Sequence, residues 1–238
     1  MTLLLGEAAR EGLRRRMDWR DLMRQLDEVG ARSVSIVTIT ALFAGMVLAL
    51  QTAHALERFG AKAVVGQVVA MSLVREMGPV LTALVIAGRV GAGMTAELGS
   101  MAVTEQVDAL RALGASPVRR LVLPRLLAIL VALPALTLLA DGIGIVGGGL
   151  VALAGSGQPM SAYLSSSFSL MEPSDLASGI GKAFFFGGCI GLIACWNGLA
   201  ATGGADGVGR ATTSTVVAAS ISILVSDFFL TKLFLMVS

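Results

Sequence analysis

Long uninterrupted apolar runs constrain this chain most. Ser33–Ala53 holds 21 residues without a charged side chain, and Ala183–Ala205 holds 23. About 20 apolar residues in a helix suffice to cross the hydrocarbon of a bilayer. Only 14% of the residues are charged and the mean hydropathy is +0.82, whereas a soluble domain carries roughly 25% charge. The ten-residue alternating segments of a spanning β-barrel are missing. The expected fold class is therefore all-α, a polytopic membrane protein. The 29 glycines lie within apolar runs, as in closely packed membrane helices. Cys189 and Cys195 share one apolar run and read as packing residues. His54 is the only histidine, which argues against a histidine-built metal site or a Ser-His triad. Thr2–Leu5 is too short for the core of a cleavable signal peptide. No nucleic-acid partner is expected.

Residues 1–32 read as an amphipathic helix lying in the membrane interface. Trp19, Leu22, Met23, Leu26 and Val29 recur at helical spacing, flanked by Arg14, Arg16, Arg20 and Arg24. Residues 33–238 read as one transmembrane domain with five spans. Ser33–Ala53 is the first. The second region is interrupted by Arg75, Glu76 and Pro79 and ends near Arg89 and Glu97. A single bent element over 63–98 reaches about 51 Å, enough for one crossing and too little for two. The third span follows Arg125 and carries Pro134, Asp141 and a glycine cluster at 142–149. A loop with Pro159, Tyr163 and a Ser165–Ser167 run extends to Asp175. The fourth span occupies the first two-thirds of 183–205, Gly203–Gly209 reads as a turn, and 211–237 is the fifth span.

Basic residues set the orientation. With the N-terminus and the 100–125 segment inside, Arg10, Arg14, Arg15, Arg16, Arg20, Arg24, Arg32, Arg111, Arg119, Arg120, Arg125 and Arg210 are cytoplasmic. Only Arg58, Lys62, Lys182 and Lys232 fall on or near the outside. Twelve against four supports five spans with the C-terminus out.

Between the second and third spans lies a polar segment, EQVDALRALGASPVRRLVLP (105–124). It reads as a short helix at about 104–115, closed by Gly114 and kept from continuing by Pro117. Val107, Leu110 and Leu113 are expected to offer apolar contact to a partner, and Glu105, Asp108 and Arg111 charge. No G-x-x-x-x-G-K-[ST] loop exists to cradle phosphates, so this chain is not expected to hydrolyse ATP alone or to carry a cofactor of its own.

Two resemblances follow. Asp108-Ala109-Leu110-x-x-x-Gly114 with Leu121-Val122-Leu123-Pro124 is similar to the coupling loop of ABC importers, with a shorter spacer. Arg75–Leu84, Ala87–Gly91, Ala96–Gly99, Thr104–Gln106, the 203–213 glycine-threonine segment and Asp227-x-x-Leu230-Thr231 together resemble the MlaE (YrbE) family of ABC permeases. The likeness runs from about residue 30 to the end. It implies a homodimeric permease paired with ABC ATPase subunits and an MCE-domain lipid-binding protein, with a STAS-domain protein in some members. The implied work is movement of phospholipid between the inner membrane and a periplasmic carrier, in support of outer-membrane lipid asymmetry. It is not an enzyme. Glu105, Gln106, Asp108, Leu110, Arg111 and Gly114 would then form the ATPase-coupling site.

Charges at membrane depth cost roughly 2.5–3.5 kcal/mol each and face a cavity or one another. Arg75 and Glu76 are expected to line a lipid cavity, or else to pair and stabilise a bend. Lys182 would snorkel to headgroups, and with Asp227 completes the candidate substrate-binding set. Arg89, Glu97, Asp141 and Lys232 read as structural charges, paired between helices. Gly144/Gly148 and Gly187/Gly191 have the spacing of close-packing surfaces, one of them a dimer seam. An ion-coupled carrier using Glu76, Asp141 and Asp227, or an intramembrane scaffold without a transport role, would be the rival.

Overall fold

Helix starts, breaks and caps account for nearly all of the chain's path. The computed structural model describes residues 19–57, 60–61, 64–156 and 159–237. The expectations on residues 1–18, with Arg10, Arg14, Arg15 and Arg16, and on Arg58 and Lys62 lie outside the described residues. Helix α1 is Trp19–Val29 and α2 is Val34–Glu57. Then α3 runs Val65–Val103, α4 Gln106–Ala112, α5 Leu123–Ser156, α6 Met160–Ser169, α7 Pro173–Leu199 and α8 Gly204–Val237. Five stretches are long and apolar enough to cross a membrane, and among the described residues there is no strand.

Three expectations need correction. The Ser165–Ser167 loop is helix α6, begun by Pro159 in extended conformation. Its hydroxyls do not break it, because Ser166 and Ser167 donate back to the carbonyl of Tyr163 at 2.8 and 2.9 Å. The fourth span starts at Pro173, ten residues before the uncharged run, since proline is favoured in a first helical turn. The turn near 203 is confined to Gly203 (φ 87°) and Gly204 (φ 67°), and the rest of that glycine segment is helical. The single element expected over 63–98 is present as α3, in which widened π turns, Leu73–Met77 and Ala87–Gly91, absorb the interruption.

The described residues divide into two compact units, and α3, α5, α7 and α8 each contribute to both. One unit holds the residues up to Ser33, Ala83–Leu133 and Phe184–Phe228. Here α1 buries Leu22, Gln25 and Val29 and leaves Trp19 67% and Met23 54% exposed. The inward stripe is thus turned from the purely apolar one, and Trp19 keeps the outward position an interfacial helix needs. Arg89, in the second π turn, donates from Nη1 to the Glu28 carbonyl (3.2 Å) and to Ser33 Oγ (2.6 Å). A cation at carbonyls left over at a helix C-terminus is favourable on both hydrogen-bonding and dipole grounds. Close helix contacts come from glycine: a Cβ at Gly187 would meet the Ile129 carbonyl at 3.2 Å and one at Gly191 the Leu126 side chain at 2.8 Å. Thr95 Oγ1 lies 2.9 Å from Thr215 Oγ1 and 3.1 Å from the Ala194 carbonyl, and Asn197 donates to Thr215 at 3.0 Å. This buried polar knot joins α3, α7 and α8.

The second unit holds Val34–Thr82, Pro134–Ala183 and the chain from Phe229. On α2 the small buried positions Val37, Ala41, Gly45 and Ala49 recur every four residues, while Ile36, Ile39, Phe43, Val47 and Leu50 face out. A Cβ at Gly45 would come within 2.0 Å of the Gly144 carbonyl, so α2 and α5 touch backbone to backbone. Gly148 is likewise covered, by the Tyr163 hydroxyl and Val69. Both small-residue pairs expected to include a dimer seam are therefore filled by the chain's own helices.

Candidate functional site

Pro79 has no N–H, so the carbonyl of Arg75, four residues earlier, loses its ordinary helical donor. The chain answers first with the π turn Leu73–Met77, in which the Gly78 N–H reaches the Leu73 carbonyl. It answers next with a side chain from another helix. Lys182 Nζ, on α7, donates to the Arg75 carbonyl at 2.9 Å, to Glu76 Oε2 at 2.6 Å and to Thr231 Oγ1, on α8, at 2.7 Å. An ammonium has three donors, here matched by three acceptors. Thr231 lies 3.1 Å from Glu76 Oε1, so it too donates to the carboxylate.

Arg75 turns away from Glu76. Its Nε donates to Asp175 Oδ1 at 2.6 Å, while Asp175 Oδ2 accepts the Glu172 N–H at 2.9 Å in the first turn of α7. The cluster of Arg75, Lys182, Glu76 and Asp175 is neutral in sum. Its two halves differ in burial: Lys182 and Asp175 are 1% and 3% exposed, whereas the side chains of Arg75 and Glu76 are 39% and 41% exposed. The arrangement therefore offers one cationic and one anionic flank, held from behind by buried partners.

Of the candidate substrate residues, Arg75, Glu76 and Lys182 are brought together. Asp227 is half-buried on α8 and belongs to the other unit. Arg75 and Glu76 do not pair with each other, and Lys182 is enclosed rather than snorkelling. Asp175 and Thr231 were not anticipated as members. The signal that pointed to a missing donor was Pro79 itself, which leaves one named carbonyl needing a partner.

The structural charges also find other partners than expected. Glu97 pairs with Arg125 at 2.7 Å, and Arg125 also donates to the Leu121 carbonyl at 2.7 Å. Arg89 and Glu97, eight residues apart, are not joined, because Arg89 is directed at α1. Lys232 is exposed. Asp141 is 5% exposed and its Oδ1 has no hydrogen-bond partner among the described residues, so the expected interhelical pairing gives way to packing against Gly78.

The polar segment between α3 and α5 folds as α4, with its ends set by two left-handed residues. Glu105 precedes it at φ 59°, a conformation uncommon for a residue with a Cβ. Gly114 (φ 73°) closes it: the Gly114 N–H reaches the Arg111 carbonyl (2.9 Å) and the Ala115 N–H the Leu110 carbonyl (3.0 Å). This is the Schellman pairing that satisfies carbonyls at a helix end. Pro117 then leads into a third π turn, Val118–Val122. Val107 is 4% exposed and is buried with Leu98, Val118, Leu121, Val122 and Cys195, with Leu110 packed beside them. Of the expected apolar contact set Val107 is buried, Leu110 is half-buried and Leu113 is 83% exposed. The reason is helical phase: positions 107 and 110 point toward this footing. Glu105, Gln106, Asp108, Arg111 and Gly114 point out, with Arg111 and Asp108 paired at 2.8 Å.

Comparison with known proteins agrees along the whole described chain. The family model described as Permease MlaE matches residues 22–233. A Rickettsia felis protein named probable ABC transporter permease protein is 47% identical over 213 residues, covering 90% of this chain and 82% of that one. The Haemophilus influenzae intermembrane phospholipid transport system permease protein MlaE is 40% identical over 217 residues, 89% of this chain and 82% of that one. The chloroplastic protein TRIGALACTOSYLDIACYLGLYCEROL 1 of Arabidopsis thaliana is 37% identical over 232 residues, covering 98% and 66%.

Proposed function

Because this chain belongs to the MlaE family of ABC transporter permeases, multi-pass membrane subunits and not enzymes, we propose that it moves phospholipid or a related lipid across or out of a bacterial inner membrane. The lipid is exchanged with a periplasmic MCE-domain carrier, and a separate ABC ATPase, which holds the ATP and magnesium, supplies the drive. The name of the Haemophilus relative supports the cargo class. Family membership favours an ATP-driven permease over an ion-coupled carrier or a scaffold.

The observation that carries the mechanism is α4, a capped helix outside the spans that stands on a buried apolar footing and turns Glu105, Gln106, Asp108, Arg111 and Leu113 outward. In this reading the ATPase grips α4, and the load enters α3 through Leu98 and, through Val118 and Val122 of the third π turn, α5. Further along α3, Arg75 and Glu76 meet the headgroup by their exposed flanks and Lys182 fixes their spacing, while Asp227, on α8, is a separate candidate contact. The acyl chains contact apolar walls. A second copy of the chain completes the transporter. Only 11% of the last span is buried, and a groove of about 910 Å³ along α8 carries Asp206 and Arg210, a pair able to meet its own copy with opposite charges facing. A STAS-domain protein is a further candidate partner.

Copurification with the ATPase, followed by reconstitution in liposomes with labelled phospholipid, tests this reading. Lipid should reach the MCE carrier only when ATP is hydrolysed. Movement driven by an ion gradient through the permease alone would overturn it.

A further inference from the structure

The carboxylate of Asp141 does something that neither an ion pair nor a hydrogen bond explains. Asp141 is 5% exposed, and its Oδ1 meets no donor among the described residues. A Cβ placed on Gly78 would lie 1.7 Å from that oxygen and 2.8 Å from the Asp141 Cγ. The carboxylate therefore fills the space of the side chain that Gly78 lacks.

Gly78 is the residue at which α3 resumes after the π turn, one step before Pro79. Backbone direction is least determined there, because the turn is widened and the proline contributes no N–H. Other helices bear on the same segment. Lys182 holds the Arg75 carbonyl at 2.9 Å. Gly179 lets α7 approach so closely that a Cβ there would be 2.4 Å from the Val74 carbonyl, and Gly144 lets α5 reach the Leu73 side chain. Asp141 adds the stop at the far end of the turn.

We propose that Asp141 is a positioning residue for transport: by occupying the face of Gly78 it fixes where α3 restarts, and so the aim of Arg75 and Glu76. This deepens the proposed function and rests on its reading that those two side chains meet cargo. Shape matters more than charge at this contact, so the isosteric amide serves where a smaller group does not.

The test uses the full permease–ATPase complex in liposomes of labelled phospholipid, with hydrogen–deuterium exchange over residues 73–82 as a readout independent of transport. D141N should move lipid within about twofold of the unaltered complex, and D141A should lose about tenfold with faster exchange confined to that segment. G78A, which drives a methyl into the carboxylate, should abolish transport, and G78A/D141G should recover part of it. Unaltered exchange and transport in D141A would overturn the proposal. So would a G78A/D141G protein no better than G78A, including the case in which neither inserts. If the unaltered complex moves no lipid while the exchange pattern follows the prediction, the lipid reading fails and the positioning role stands.

Discussion

Replacing Lys182 by methionine keeps the length of the side chain and removes its ammonium, and the consequence can be worked through. The Arg75 carbonyl loses the donor that Pro79 already denies it; an unsatisfied buried carbonyl costs about 1–3 kcal/mol. Glu76 loses its cation. Breaking a fully buried pair costs about 3–5 kcal/mol, but the Glu76 side chain is 41% exposed and keeps the Thr231 hydroxyl. Its share is therefore about 1 kcal/mol after allowance for solvent. Lys182→Met should lower stability by about 2–4 kcal/mol in total. The reasoning also names its own rescue. Pro79→Ala returns an N–H four residues after Arg75, so it should recover about 1–2 kcal/mol in the methionine background while changing the unaltered protein little. Reversible unfolding in mixed micelles, followed by tryptophan fluorescence, measures all four proteins of the cycle. If the two substitutions add within about 0.5 kcal/mol, Lys182 does not stand in for the missing proline donor.

Three further outcomes are expected. Arg89→Met removes the hold on the Glu28 carbonyl and Ser33; α1 should loosen, with faster tryptic cleavage at exposed Arg32 and a stability loss of about 1–3 kcal/mol. Leu113→Asp should prevent copurification of the ATPase without shifting the unfolding midpoint, whereas Val107→Asp, in the buried footing of α4, should lower that midpoint before any partner is added. Gly45→Val places branched carbon where the Gly144 carbonyl lies 2.0 Å from even a single Cβ; the cost is about 3 kcal/mol or more, and little folded protein should be recovered.

The spans were legible because a membrane accepts few alternatives to a long apolar helix, and Ser33–Ala53 announces one directly. Helix α6 was not legible: its serines are polar by composition, and only the returned hydrogen bonds to Tyr163 make them compatible with a helix. The costliness of Arg75, Glu76 and Lys182 at membrane depth could be read from their type. Their partners could not, because Lys182 lies 107 positions from Arg75 and Thr231 lies 155 from Glu76, and no local pattern encodes such pairings. For α4 the capping glycine was visible at 114, yet the sequence period alone does not say which face rests on protein. That is why Val107 and Leu110 were assigned to a partner and are found packed on Leu98 and Val122 instead.

The neutrality of the cluster around the first π turn bears on how such a device handles freight. Under the proposed function, an arriving headgroup would find no surplus charge, since Arg75 already has Asp175 and Glu76 already has Lys182. It would meet the exposed sides of two side chains that keep their buried partners, so the proposed grip is loose and easily reversed. Discrimination between lipids would then be left to the acyl chains, and dwell times would be short. That suits a conveyor, which must release whatever it picks up, better than a depot.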